Sequence, residues 1–406
     1  MKQNLWTRDF SLLIAATAMG ALGGTASGFA LSFLVFDETG STLASALLVA
    51  MQLIPAFVVP LVAAPWMDRM PRKPFLVAGD AVNGVLYALA GLYLLNGTFH
   101  YTAYLGFSLL LSTLGTFDSL AYDSIYPTVI PEGCEQKGYA VSGTLYPVVV
   151  VVMTPLAAMM YEHVGVGVIL LMQSVLSFGA CITESFIRVA EPDRRGGEHF
   201  SLRMWRDDLA QALAYLRNEK GLFGIYRYMA VTNGVATGYS PLVMAFFRTA
   251  PGLSIAMYSV FSVAECIGRA IGGVVHYRLN IPKQKRFSFA FCVYQFYDVN
   301  ESLMLWLPYP LMLLGRGVAA FLGVNSASMR QASVQRYIPD HLRAKLNAFS
   351  NMLISLGCCI ASLALGALGE VLDYRICVSA ASLLSLGTCW LTVWRHRSSA
   401  RRVYEA

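Results

Sequence analysis

The sequence predicts an all-α polytopic membrane protein with twelve transmembrane helices in two six-helix halves, on three observations. Of its 406 residues, 56% are hydrophobic and 13% are charged, against about 45–50% and about 25% in soluble domains. The apolar residues gather in runs of about 20, the length that a hydrocarbon core about 30 Å thick requires. Two unrelated short patterns also recur at nearly one offset, which points to a duplicated half. A soluble fold of this length needs far more surface charge, so the composition argues against a cytosolic enzyme, a secreted disulfide scaffold and a disordered chain.

Apolar windows of about 19 residues place spans near 10–36, 41–65, 75–96, 102–122, 138–160, 165–188, 222–247, 254–276, 287–307, 309–330, 344–368 and 375–394. The run from Phe10 to Phe36 is longer than a secretory h-region and the second span follows closely, so the first is expected to stay in the mature protein. Within it, Gly20, Gly24 and Gly28 recur every four residues, a stripe expected to pack closely on a neighbouring helix. The longest hydrophilic stretch, Val189 to Gly221, divides the spans six and six. It opens as a linker, Glu191-Pro192-Asp193-Arg194-Arg195-Gly196-Gly197. It continues into a segment where Leu209, Leu213 and Leu216 recur at helical spacing, expected as an amphipathic helix on the inner membrane face. The expected domains are therefore 1–188, a linker with that helix over 189–221, and 222–406.

Placing the N-terminus in the cytoplasm puts 25 of the 30 basic residues on the inner side, counting Arg330 in the loop after span ten, with Arg248 and Arg375 outside. Arg227, Arg269 and Arg316 fall within spans. This asymmetry predicts a multi-pass protein of the plasma (bacterial inner) membrane with both termini cytoplasmic. It also explains the net charge of +6 without nucleic acid as a partner. The eight cysteines lie mostly in apolar runs without Cys-x-x-Cys spacing, and the six histidines make no His-x-x-x-His pair. Neither set suggests a metal, and no cofactor is expected. There is no Gly-Lys-Ser or Gly-Lys-Thr phosphate loop, which leaves an ion gradient as the expected energy source.

Val129-Ile130-Pro131-Glu132 through Lys137, Ala140 and Ser142 aligns with Tyr337-Ile338-Pro339-Asp340 through Lys345, Ala348 and Ser350 at an offset of 208. Asp68-Arg69 aligns with Tyr277-Arg278 at 209. After span two, Ala64-Pro65-Trp66-Met67-Asp68-Arg69-Met70-Pro71-Arg72-Lys73 resembles the major facilitator signature Gly-x-x-x-Asp-Arg-x-Gly-Arg-Arg/Lys. Asp68, Arg69, Arg72 and Lys73 match it, while Ala64 and Pro71 replace the glycines. The resemblance implies a cytoplasmic gate motif of Asp68, Arg69, Arg72 and Lys73, with Asp80 and Arg278 beside it, and a fold of two parallel six-helix halves. It extends to the branch of macrolide exporters and enterobactin-exporter-like proteins through Phe10 to Pro55, Asp80, and Ile338-Pro339-Asp340 with Arg343. That branch's span-five motif, Gly-Pro-x-x-Gly-Gly, is degenerate here as Thr154-Pro155-Leu156-Ala157-Ala158-Met159, although Ala157 and Ala158 still permit close packing.

A charge at a helix centre costs about 2.5–3.5 kcal/mol on the insertion scale, so each charge inside a span is a candidate site. Glu265 in span eight has Arg269 one turn on, which reads either as a self-neutralising pair or as a proton site. Asp118 in span four, with Tyr122 one turn away, is the second proton-coupling candidate. Asp298, Glu301 and Arg316 form an expected outer charge cluster of spans nine and ten, whereas Glu184 and Arg188 read as boundary residues closing span six. Candidate cavity residues are Arg269, Tyr122, Phe29, Gln52, Tyr146, Asn233, Tyr239 and Asn325. The expected function is export of amphipathic or lipophilic small molecules by a proton-coupled, monomeric secondary transporter in the lipid bilayer. Export of one metabolite, such as a siderophore or lipid, is the alternative. A membrane receptor or assembly partner built on a transporter scaffold is an alternative of another class.

Overall fold

The computed structural model describes residues 5–67, 73–97, 99–131, 134–188, 202–278, 281–339 and 342–405. Among them are fourteen α-helices and no strand: α1 (Arg8–Thr39), α2 (Thr42–Met67), α3 (Lys73–Leu95), α4 (Tyr101–Val129), α5 (Glu135–His163), α6 (Val166–Ser185), α7 (Leu202–Asn218), α8 (Lys220–Thr249), α9 (Ile255–Arg278), α10 (Lys283–Met304), α11 (Tyr309–Tyr337), α12 (Arg343–Gly369), α13 (Tyr374–Cys389) and α14 (Arg397–Glu405). Every expected span coincides with one of the helices α1–α6 or α8–α13. By length and composition, α1, α3, α5, α6, α9, α11, α12 and α13 with its extension can cross a membrane. Expected α7 and the spacing of the repeat also appear: α4 and α11 start at 101 and 309, and α5 and α12 start at 135 and 343, each a difference of 208.

Local chemistry sets the helix ends. Thr7 caps α1 by accepting from the Phe10 amide at 3.3 Å, and Gly40 ends it in the left-handed region at φ 63°. Asp373 caps α13 by accepting from the Arg375 amide at 2.8 Å. Pro127, Pro147, Pro155 and Pro241 lie inside helices, which membrane helices tolerate because neighbouring groups satisfy the freed carbonyls. A π-helical turn, Trp390–Trp394, extends α13 and brings those two indoles to 5.3 Å.

The first compact unit comprises 1–40 and 51–200. Here α6 packs on α1 and α3. The Ser174 hydroxyl donates to the Gly84 carbonyl at 2.7 Å, and a Cβ at Gly91 would stand 2.8 Å from the Gly167 carbonyl. Ala157 and Ala158 of α5 are buried. The glycine stripe of α1 is corrected: a Cβ at Gly20, Gly24 or Gly28 would meet no neighbouring helix within 4 Å among the described residues, whereas one at Gly23 would run into the Gln173 side chain of α6. The face carrying Gly23, Ala26, Ser27 and Ala30 is the buried one. A four-residue repeat therefore marks one face of the helix without telling which face has a neighbour.

The second unit comprises 41–50 and 201–406. Its densest seam joins α8 and α12, where a Cβ on Gly234 would lie 2.6 Å from the Gly357 carbonyl and one on Gly238 2.7 Å from the Ala361 backbone. Helix α7 packs on the helices of its own unit. Its Ala212 and Leu216 are buried with Leu222, Ile225 and Leu346, because only Glu219 separates it from α8 and its apolar face is held against α8 and α12. The sequence reading did not anticipate α14. It seats Tyr404 beside Phe287 and brings its hydroxyl to 2.5 Å from that of Tyr294.

The start of α2 is capped from another helix. Glu370, just past α12, accepts from the Ser41 hydroxyl at 2.8 Å, the Thr42 hydroxyl at 3.2 Å and the Leu43 amide at 2.8 Å. Thr42 also donates to the Gly366 carbonyl at 2.9 Å. Partial burial pushes the Glu370 carboxyl up, but these donors more than offset it and hold it below the ordinary glutamate value. Because that value is depressed in the folded protein, the stabilisation is complete above about pH 4.3 and fades as pH falls through the lowered value. Glu370→Ala is expected to cost about 1 kcal/mol at pH 7, as loss of a helix cap does. Fluorescence melts in detergent should show the gap to wild type closing below about pH 4; a gap unchanged by pH would refute this account of the contact.

Candidate functional site

Charged residues of α9, α10 and α11 converge in the second unit. Arg316, near the start of α11, donates from Nη2 and Nε to Glu265 Oε2 at 2.5 and 2.9 Å. Its Nη1 donates to the two Glu301 oxygens at 3.1 and 3.2 Å. Arg269, one turn past Glu265, donates to Oε1 at 3.0 and 2.6 Å, and the Tyr239 hydroxyl donates to Glu301 at 2.7 Å. Two guanidiniums thus face two carboxylates. The inner members are enclosed, with Arg316 16% and Glu301 1% exposed, whereas Arg269 is 63% exposed. Each arginine brings two nitrogens to a single Glu265 oxygen, while Arg316 Nη1 spans both oxygens of Glu301; charge-assisted hydrogen bonds of this kind are the strong ones.

The expected separate pair and outer cluster are corrected into one network, because Arg316 bridges Glu265 and Glu301. Asp298 stands apart, accepting from the Tyr228 hydroxyl at 3.0 Å. Asp298 and Glu301 share a face of α10 but stand about 4.5 Å apart along its axis, so Asp298 meets Tyr228 where Glu301 meets Arg316.

A cavity of about 210 Å³ runs from this network along α11. Its floor on that helix carries Arg316, Ala319, Ala320, Gly323, Ser326 and Arg330, positions three or four apart that share one helical face. Tyr228, Asn233, Arg269, Tyr294 and Tyr297 close it from α8, α9 and α10. A smaller neighbouring cavity of about 130 Å³ reaches Tyr239, Tyr258, Glu265 and Arg316. Of the expected cavity residues, Asn233 and Arg269 line the larger space and Tyr239 the smaller. Asn325 is buried outside that lining: it donates to its own helix at the Phe321 carbonyl, with His276 3.2 Å from its other amide atom.

The remaining candidates belong to the first unit. Phe29 packs against Phe33 at 4.9 Å, Gln52 donates to Ser108 at 3.1 Å, and Tyr146 is 61% exposed. Tyr122 stacks near Tyr126 at 5.2 Å. Asp118 has a buried oxygen without a hydrogen-bond partner among the described residues. Asp80, Asp118 and Glu184 lie close enough for their charges to repel. This corrects Glu184, read as a boundary residue: it is buried in the last turn of α6, facing the bundle. Of the gate motif, Lys73 donates to the Ser185 carbonyl at 2.7 Å. Asp68, Arg69 and Arg72 lie outside the described residues, as does the Arg278 side chain.

Three features escaped the sequence reading: the bridge through Arg316, the burial of Glu184 and the role of Arg330. The span boundary drawn at 330 assigned Arg330 to a loop, whereas α11 continues to Tyr337. The signal was present as Arg316-x-x-Ala319-Ala320-x-x-Gly323-x-x-Ser326-Ala327-x-x-Arg330, a small-residue face with arginine at both ends. Because the bridge leaves no slack charge, Arg316→Leu is expected to destabilise the protein by about 3–5 kcal/mol, much of it from an unpaired Glu301. Arg316→Leu combined with Glu301→Gln should recover part of that loss in detergent melts. Strictly additive losses would show that the two residues are not coupled.

Comparison with known proteins places this geometry. The family model of the Major Facilitator Superfamily matches residues 13–294. "Macrolide efflux protein A" of Streptococcus pyogenes is 22% identical over 282 residues, 68% of this chain and 67% of that protein. Among solved structures, the nucleoside transporter NupG, crystallised as a mutant, superposes with a TM-score of 0.67 at 11% identity, covering 97% of this chain and all of that one. A bacterial homolog of the human lysosomal transporter Spinster gives 0.63 at 12% identity, covering 99% of this chain and 95% of that one. Apolar spans, the helical architecture and the matched sequence agree, and this chain belongs to the Major Facilitator Superfamily.

Proposed function

We propose that this transporter exports amphipathic or lipophilic small molecules by alternating access, driven by inward movement of protons across the plasma membrane, with both termini cytoplasmic. The carrying observation is the network of Glu265, Arg269, Arg316, Glu301 and Tyr239, set among the helices of a membrane transporter and bordering a cavity. The similarity to a macrolide efflux protein supports the direction of transport, and the asymmetry of Lys and Arg supports the orientation.

The coupling step follows from the geometry. Arg316 is shared between Glu265 and Glu301, so a proton arriving on Glu265 removes the charge that holds one side of Arg316 and leaves the guanidinium to Glu301. Glu265 and Glu301 lie on different helices, α9 and α10, so the change in pairing alters which helix α11 is tied to. Asp118, with an unpaired oxygen and two acidic neighbours, is the second proton site. Asp68, Arg69, Arg72 and Lys73 with Asp80 and Arg278 form the cytoplasmic gate. A monomer suffices, since the cavity and its charge network are complete within one chain.

In proteoliposomes with an imposed proton gradient, wild type is expected to move at least one member of a panel of anionic, neutral and cationic amphipathic solutes, while Glu265→Gln and Asp118→Asn should each reduce gradient-driven flux of that solute by at least tenfold. Full flux in both variants would defeat the proton assignment. Flux of a single siderophore or lipid and of nothing else would favour the metabolite exporter, and a stoichiometric partner without any flux would favour the receptor reading.

A further inference from the structure

We propose that the cavity along α11 binds an amphipathic organic anion, whose carboxylate head is anchored by the Arg330 guanidinium and whose body lies on the small-residue face toward Arg316. This deepens the transporter reading, on which it rests, by naming the substrate class of the same cavity.

The charges that line the cavity are three arginines, Arg269, Arg316 and Arg330, and one glutamate, Glu265. At one end the account is closed, because Arg316 and Arg269 are committed to Glu265 and to Glu301 behind it. At the other end it is open. Arg330 donates to the neutral hydroxyl of Tyr294 at 3.3 Å, and no carboxylate lies within ion-pair distance of it among the described residues. The Tyr294 hydroxyl also meets that of Tyr404 at 2.5 Å, so the group beside Arg330 is a pair of phenols and not a carboxylate. Asp298, the acidic residue on the neighbouring stretch of α10, is 2% exposed, is held by Tyr228 and does not line the space.

A second observation points to a ligand independently of the charge. Ser326 lines the cavity one turn before Arg330, is 2% exposed, and its hydroxyl has no hydrogen-bond partner among the described residues. A buried hydroxyl without a partner costs about 1–3 kcal/mol, and a carboxylate oxygen placed between Ser326 and Arg330 would satisfy both. Between the two arginines the floor is Ala319, Ala320, Gly323 and Ala327. The fourteen steps from Arg316 to Arg330 rise about 21 Å, which accommodates a long apolar body beside the rings of Tyr228 and Tyr297. A protonated amine, in contrast, would find its carboxylates already taken and Arg330 repelling it at short range in a weakly screened site.

The test uses the full-length protein in phosphatidylcholine nanodiscs and a matched probe pair, pyrenebutyrate and pyrenebutyl-trimethylammonium, read by fluorescence titration. Pyrenebutyrate is expected to bind at least tenfold more tightly than the cation. Arg330→Gln should abolish that preference, Arg330→Lys should retain part of it, and Ser326→Ala should weaken the anion several-fold. Arg206→Gln, an exposed arginine on α7, should change nothing. Equal binding of the two probes, tighter binding of the cation, or an unchanged preference in folded Arg330→Gln would overturn the proposal. Should Arg330→Gln fail to fold, the wild-type preference and the Arg330→Lys titration still decide. Ethidium flux without pyrenebutyrate binding would remove the anion and leave the transporter, whereas anion binding without flux of any solute would do the reverse.

Discussion

One guanidinium shared by two carboxylates organises the second half of this molecule. Arg316, Glu265 and Glu301 would each be expensive alone in an apolar bundle, by about 2.5–3.5 kcal/mol for a charge at a helix centre. Their joint placement converts that cost into a constraint on three helices, since α9, α10 and α11 must present their charges at hydrogen-bond distance from one guanidinium. Tyr239 extends the constraint to α8. The cavity inherits its shape from this arrangement: the charged end is fixed in place, so the floor of α11 and the tyrosines opposite it are fixed as well.

The two units handle charge differently. In the second, Glu265 and Glu301 meet two arginines and the charges balance within the network. In the first, Asp80, Asp118 and Glu184 lie near one another, and Asp118 and Glu184 each keep a buried oxygen without a hydrogen-bond partner among the described residues. Both halves derive from similar helical plans, as the shared offset of 208 between α4 and α11 and between α5 and α12 indicates. Their chemistry has separated while the starting positions of those helices have not. That is expected when span length is imposed by the bilayer and side-chain identity is not.

Much of the fold was legible because the bilayer writes a coarse signal: twenty apolar residues announce a helix whatever their order. The expected spans coincide with helices for this reason, and the helical spacing of Leu209, Leu213 and Leu216 announced α7. Partners were harder to read. The Gly20, Gly24 and Gly28 stripe satisfied a packing pattern, yet Gly23 on the adjacent face meets α6. Hydropathy also misjudged ends: α11 runs seven residues past the expected limit at 330, so Arg330 was counted as a topological charge. Helix α14 was invisible to windows of membrane length because it spans only Arg397–Glu405. In the site, the sequence exposed individual charges and one intrahelical pair, but the bridge through Arg316 joins residues 51 and 15 positions apart and depends on packing that no local pattern encodes.

The seam between α8 and α12 bears on how this chain can vary. Gly234 faces the backbone at Gly357, and Gly238 faces that at Ala361, so main chain meets main chain with no side chain to absorb a change. Elsewhere a helix surface toward lipid accepts almost any apolar residue of moderate size. Mutational tolerance along one helix is therefore sharply uneven, nearly closed on the face toward its partner and broad a half-turn away. Variation among descendants of this sequence should accumulate in stripes rather than in segments, and α8 and α12 should drift together or not at all.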